Sequence, residues 1–68
     1  MPNPTPAQMR VLCALSRVWI RDRRATVSSV AEEAGVNGST CHKHLHALAR
    51  FGLVRHDGPG TLRPGDVV

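Results

Sequence analysis

The 68-residue sequence is poor in aromatic residues, with no tyrosine, one phenylalanine (Phe51) and one tryptophan (Trp19). Leucine, valine, isoleucine and alanine must therefore build the core, and they suit packed helices better than an aromatic-rich sheet. The composition predicts a mainly helical fold. Because short chains bury a small fraction of their surface, we expect one small domain over residues 1–68, without room for an enzyme pocket.

Cysteine is also scarce. Cys13 and Cys41 stand far apart inside apolar helical patterns, and no second pair completes a disulfide framework or a four-thiolate zinc site. We expect both to be free, buried thiols. The sequence lacks an apolar run of membrane-spanning length and a charged N-terminal region followed by an apolar stretch. These absences predict a cytoplasmic protein without a membrane partner.

Acidic residues are outnumbered, since nine lysines and arginines face five aspartates and glutamates, for a net charge of +4. The hydrophobic fraction of 41% is too high for a disordered chain, so we expect a folded domain. The positive charge favours a polyanionic partner such as nucleic acid. Basic charge also serves solubility alone, so the charge does not decide the function by itself.

The first helix begins with clear capping signals. Thr5 is suited to the N-cap position, and Pro6 is suited to the first helical position. Gln8 is placed to complete a capping box with Thr5. We predict that this helix extends to about Arg23 and that the arginines at 21–24 stay solvated near its C-terminal end. Its predicted apolar stripe consists of Met9, Leu12, Leu15 or Ser16, Trp19 and Ile20.

A second helix, capped by Thr26 or Ser28, is predicted to end at Gly35, a residue suited to a left-handed C-cap. After a short turn, Asn37 caps a third helix over residues 38–51. Apolar residues repeat along this helix at positions i, i+4 and i+7, namely Cys41, Leu45 and Leu48. The opposite face is polar and basic, and it carries Ser39, His42, Lys43, His46 and Arg50.

A β-hairpin is predicted over residues 53–63. Alternating residues 53–56 lead into the turn sequence Asp57-Gly58-Pro59-Gly60, and Thr61 to Arg63 form the returning strand. Pro64 cannot donate to a strand ladder, so residues 64–68 are predicted to be a short tail. Residues 1–4 are predicted to be a short extended lead.

Three helices followed by a glycine-rich hairpin resemble the winged helix-turn-helix order of DNA-binding repressors. The residues that carry the resemblance are the run from Val30 to Asn37, then Ser39-Thr40, His44-Leu45, Leu48 and Gly52-Leu53-Val54. The opening at residues 5–8 and the overall spacing are most similar to LexA-type repressors, and MarR-type and GntR-type regulators are also similar. The resemblance spans residues 5–63. It implies an α+β winged helix-turn-helix fold and double-stranded DNA binding by a transcriptional regulator, acting as a repressor.

The resemblance also implies which residues touch DNA. It places the third helix in the major groove and the wing, residues 53–63, on the backbone or minor groove. The implied DNA-contacting residues are Asn37, Ser39, Thr40, His42, Lys43, His46, Arg50, Arg55 and Arg63. Because imidazoles change charge between pH 5 and 8, His42 and His46 predict DNA binding that tightens as the pH falls.

Two other interpretations stay open. The run from Cys41 to His46 is rich in metal ligands and suggests a metal-responsive regulator, although a structural site normally needs four converging ligands. A winged-helix module can also bind another protein and no DNA. No enzyme, cofactor or small-molecule substrate is implied. One module buries only about 600–1,000 Å² on DNA, so a homodimer or a partner protein would add specificity.

Overall fold

The computed structural model describes residues 3–65 of the chain. It contains three helices, α1 (Pro6–Asp22), α2 (Val27–Ala34) and α3 (Gly38–Arg50), followed by the strands β1 (Val54–Gly58) and β2 (Thr61–Pro64). The strands pair in antiparallel fashion as a hairpin. The predicted α+β class, with three helices and a C-terminal wing, is confirmed. The predictions for residues 1–2 and 66–68 lie outside the described residues.

Helix α1 begins at the predicted capping box. The Thr5 hydroxyl accepts a hydrogen bond from the Gln8 amide at 3.2 Å, and the Gln8 side-chain oxygen accepts one from the Thr5 amide at 2.9 Å. These bonds satisfy two amides at the helix start. The helix ends where Arg23 adopts a left-handed conformation with φ of 54° and donates its N–H to the carbonyl of Trp19.

The predicted apolar stripe of α1 is partly wrong, because Leu15 is buried and Leu12 packs against the core as predicted, whereas other members of the stripe are exposed. Val11, Ala14, Leu15 and Val18 are the buried residues of this helix. Ile20 is 69% exposed and Met9 is 40% exposed, although both were predicted to face the core. The buried stripe is turned by about one residue from the predicted one, and the two overlap at Leu15, so the 3.6-residue period alone does not determine which of them faces the core. Cys13 is exposed, which corrects the prediction that its thiol is buried, whereas Cys41 is buried as predicted.

Helices α2 and α3 are joined by a three-residue turn at the predicted place. Thr26, and not Ser28, caps α2, and its side chain accepts from the Ser29 amide at 3.1 Å. Gly35 ends α2 with φ of 73°, a left-handed conformation that favours glycine. Asn37 then caps α3 through its side-chain oxygen, which accepts from the Thr40 amide at 2.8 Å.

The hairpin is held against the helices by backbone hydrogen bonds and apolar contacts. The Leu62 amide donates to the Ala25 carbonyl at 2.8 Å, so the segment between α1 and α2 forms a bridge to β2. Val54 and Leu62 are buried in the core formed by the three helices. Strand β2 includes Pro64, which pairs with Val54, so the wing extends one residue beyond the predicted end. A proline is tolerated at the end of an edge strand.

The core of this small domain is wholly apolar among the described residues. Its fully buried larger side chains are Val11, Leu15, Val18, Val30, Cys41 and Leu48. On α2, Val30 and Ala31 are buried and Ala34 packs against the core. None of the helices in residues 3–65 is long and apolar enough to cross a membrane.

Candidate nucleic-acid interface

Helix α3 has one sealed face and one open face. Cys41, Leu45 and Leu48 are buried against the rest of the domain, as the periodicity predicts. Because successive helical residues are about 100° apart, the intervening polar residues point away from the core. The sealed face fixes the orientation of α3, so its open face is presented as a rigid surface.

The predicted site residues of α3 lie mostly on that open face. Ser39, His42, Lys43, His46 and Arg50 are exposed, and Thr40 is half-buried. Asn37 is exposed, its side-chain oxygen accepts the cap hydrogen bond, and its side-chain NH₂ group can donate to a ligand. The capping role is a structural reason for Asn37 that stands beside any DNA contact.

The hairpin contributes two cations near this surface. Arg55 on β1 and Arg63 on β2 are cross-strand partners, and partners directly opposite each other share one face of a sheet. Arg55 is exposed and Arg63 is half-buried. Together α3 and the hairpin carry four lysine and arginine residues within residues 3–65 against one acidic residue, Asp57.

A groove separates α3 from the hairpin, with a volume of about 160 Å³. Three histidines lie along it: His42 and His46 from α3 and His56 from β1, together with Arg55. Its apolar lining residues are Val27, Leu45, Ala49, Val54 and Leu62. Among the described residues that line the groove, none is acidic. The structure therefore brings together three of the predicted site residues, His42, His46 and Arg55, whereas the other six are not part of the groove lining.

His56 is the residue that the sequence analysis did not assign to the site. It lies on β1, next to Arg55, and the sequence distinguishes it from other histidines only by its position in a strand. Its approach to His42 and His46 depends on the hairpin folding back onto α3, which the Leu62–Ala25 hydrogen bond helps to hold. No local sequence pattern predicts that the three histidines line one groove.

A separate cluster of charges joins α1 to α2. Glu33 accepts hydrogen bonds from Arg17 Nε at 3.1 Å and from Arg21 Nη1 at 3.0 Å, and Arg21 also pairs with Asp22. The two arginines hold the pKa of Glu33 below its ordinary value. Arg21, which we expected to be only solvated, is exposed yet paired. These arginines connect helices and are not part of the α3 and hairpin surface.

The potential metal ligands in the run Cys41 to His46, which suggested the alternative of a metal-responsive regulator, do not converge in the structure. Cys41 is buried, its thiol lies 3.7 Å from the Val27 carbonyl oxygen, and burial raises its pKa. A raised pKa leaves less of the thiolate that binds metals. His44 is half-buried on the core side of α3, away from His42 and His46. Within residues 3–65, no group of three or more His, Cys, Asp or Glu side chains is placed to hold a metal ion.

Two solved structures share this fold. The crystal structure of IdeR from T. acidophilum matches with a TM-score of 0.75 and 12% identity, over 94% of this chain but 29% of that chain. The Zalpha domain of PKZ from Carassius auratus, solved in complex with Z-DNA, matches with a TM-score of 0.63 and 18% identity, over 88% of this chain and 98% of that domain. Both likenesses show the winged-helix fold.

The sequence itself also matches a known family. None of the curated proteins matches the chain. Residues 5–57, however, match the family described as "Helix-turn-helix domain". This span holds all three helices, the turn between α2 and α3, and most of β1. The match identifies the family as a whole and not the LexA-type branch that the sequence resembles. The chain belongs to the helix-turn-helix domain family.

Proposed function

We propose that this protein binds double-stranded DNA as a transcriptional regulator of the repressor type, with α3 in the major groove. The observation that carries the proposal is the open face of α3, which is exposed, rigidly held by its buried stripe and basic. An α-helix fits the major groove of B-DNA, where Lys43 can donate to guanine acceptors. Family membership and the winged-helix fold support a DNA-binding regulator.

The contacts divide between base edges and phosphates. Ser39, Thr40 and Lys43 lie in the first two turns of α3, the part of a recognition helix that touches base edges. Asn37 at the cap and Arg50 at the far end of α3 are proposed to meet phosphates, as are Arg55 and Arg63 on the hairpin. His42 and His46 lie on the same open face as Lys43. Phosphate contacts position the domain, and base contacts select the sequence.

Salt dependence tests this proposal directly. Arg50, Arg55 and Arg63 would displace about three counterions from phosphates, so log affinity should fall with log salt concentration at a slope of about −3. Fluorescence anisotropy with a 20-base-pair duplex between 50 and 200 mM salt measures this slope. Arg50→Ala should weaken binding and flatten the slope by about one unit.

Arg10→Ala is the matched control, since it removes an exposed cation from α1 and leaves α3 and the hairpin intact. Equal losses for the two variants would mean that net charge alone drives binding. No binding to any duplex at 50 mM salt would refute the proposal and favour a protein-interaction module.

Left-handed DNA is a second conformation that the domain is tested against. This chain matches 98% of the length of a Zalpha domain that was solved in complex with Z-DNA. We therefore propose alternating CG duplexes, held in the left-handed form, as a second candidate ligand. Preference for this form over a mixed B-form duplex of equal length would replace the major-groove arrangement.

Analytical ultracentrifugation with and without DNA tests the homodimer that we propose for added specificity.

A further inference from the structure

The groove between α3 and the hairpin brings imidazoles from two elements to one place. His42 and His46 are one helical turn apart on α3, and His56 reaches the same groove from β1. Arg55 completes the polar lining. All three histidines are exposed, so each is accessible to a ligand from solvent.

The size and lining of the groove limit what it can hold. Its volume of about 160 Å³ is smaller than the roughly 300–1,000 Å³ of pockets for drug-sized ligands and cofactors. The side chains beneath the histidines, among them Leu45, Val54 and Leu62, are apolar. The groove thus suits one small group with a polar end and a carbon-rich body. The same histidines are not placed to share a metal ion within residues 3–65.

The charges around the groove favour an anion. From α3, Lys43 and Arg50 are exposed cations, and His44 is half-buried. From the hairpin, Arg63 is a second cation beside Arg55, and Asp57 is the single acidic residue on either strand. On α2, the carboxylate of Glu33 is paired with two arginines of α1. Glu32 lies in the last turn of α2, whereas the groove is lined by the first residue of this helix, Val27.

We infer that this groove is a phosphate-binding site, in which Arg55 and the protonated imidazoles of His42, His46 and His56 hold one phosphate and the apolar side chains contact its attached sugar. The inference rests on the proposed function, where the phosphate is a phosphodiester of the DNA backbone. Imidazolium donates from both ring nitrogens, and a phosphate favours this charged form. Binding therefore takes up protons, so affinity rises as the pH falls from 8 to 6.

The DNA experiment measures affinity against pH for the full chain. With an average uptake of half a proton over these two pH units, affinity for a 20-base-pair duplex rises about tenfold. His56→Gln should reduce this rise, and the triple variant of His42, His46 and His56 to glutamine should abolish it. His44→Gln is the matched control, because His44 is on α3 but does not line the groove. Circular dichroism checks that every variant is folded.

A second measurement needs no DNA. Inorganic phosphate is titrated into the protein at pH 6 and constant ionic strength, with chloride as the reference anion, and the imidazole C–H resonances are followed by NMR. We expect the resonances of the three groove histidines to shift together and that of His44 to stay in place. Competition by duplex DNA for the same resonances identifies the backbone as the source of the phosphate. Shifts without competition assign the groove to a free phosphate-bearing ligand and overturn the DNA source.

The two measurements separate the possible failures. If DNA binds and the triple variant keeps the full pH dependence, with no phosphate shifts, the groove inference is wrong and the proposed function stands. If no duplex binds and phosphate still shifts the three histidines, the proposed function is wrong and the phosphate site stands. If neither effect occurs, both are overturned.

Discussion

The same small change, glycine to alanine, is expected to have opposite effects on stability at Gly38 and Gly65. Gly38 is the first residue of α3, and a Cβ added there meets no atom within 4 Å. Its backbone is helical, so alanine fits without strain. Such a substitution restricts the unfolded chain and raises the free energy of unfolding by about 0.4–1 kcal/mol.

Gly65 has no such space. It is buried directly after β2, and its amide donates to the Leu53 carbonyl at 2.8 Å. A Cβ there would overlap the carbonyl oxygen of Gly52 and lie 3.0 Å from the carbonyl carbon of Leu53. Both are backbone atoms that cannot rotate away. Overpacking costs about 1–3 kcal/mol, whereas releasing residue 65 loses one hydrogen bond worth about 0.5–1.5 kcal/mol. Because the structure relaxes in whichever way costs less free energy, we expect Gly65→Ala to lower the free energy of unfolding by about 1 kcal/mol.

Urea denaturation followed by circular dichroism measures both variants. With a slope of about 1 kcal/mol/M for a domain of this size, Gly38→Ala and Gly65→Ala should have midpoints separated by about 1.5–2 M, on opposite sides of the wild type. A neutral Gly65→Ala would show that the end of the wing is not packed against residues 52–53. A destabilised Gly38→Ala would show that α3 does not begin at this residue.

Two further predictions concern the charged residues. Replacing Arg55 and Arg63 together with alanine should weaken binding to all duplexes alike, since backbone contacts carry no base identity, and a selection from random sequences should return the wild-type site. A changed site at full affinity, or no change in either, would contradict the assignment of the hairpin. Glu33→Gln should lower the melting temperature at pH 7, because a carboxylate whose pKa is depressed on folding stabilises the protein above its unfolded pKa of about 4.3. That stabilisation is lost as the pH falls through the folded pKa, so the melting temperatures of the wild type and the variant should converge at lower pH. A difference in melting temperature that stays constant with pH would exclude the ion pairs as the cause.

The features predicted correctly from the sequence depend on short-range interactions. The capping box of Thr5 and Gln8 joins residues three apart, and so does the Asn37 cap of α3. The left-handed end of α2 at Gly35 is likewise a property of a few neighbouring residues. Such features need no knowledge of the rest of the chain, and together they determine the order of helix, turn and helix.

The errors concern choices that only tertiary contacts decide. Two overlapping stripes of α1 have a helical apolar period, so the pattern alone does not determine whether Val18 or Ile20 enters the core. Packing against α2 and α3 selects the face with Val18, which leaves Cys13 exposed. The place of His56 in the same groove as His42 was not predicted for a related reason, because it follows from the hairpin folding back onto α3.

The distribution of charge explains more about the site than the net charge of +4 does. Arg17 and Arg21 are basic residues of α1, yet their partners Glu33 and Asp22 balance them within the domain. Opposite charges at such short distances largely cancel each other's field beyond a Debye length of about 8 Å. On the α3 and hairpin surface, Asp57 is the one acidic residue among residues 3–65. This surface therefore adds to the long-range attraction for a polyanion, and under the proposed function it would orient the domain with α3 toward DNA before any specific contact forms.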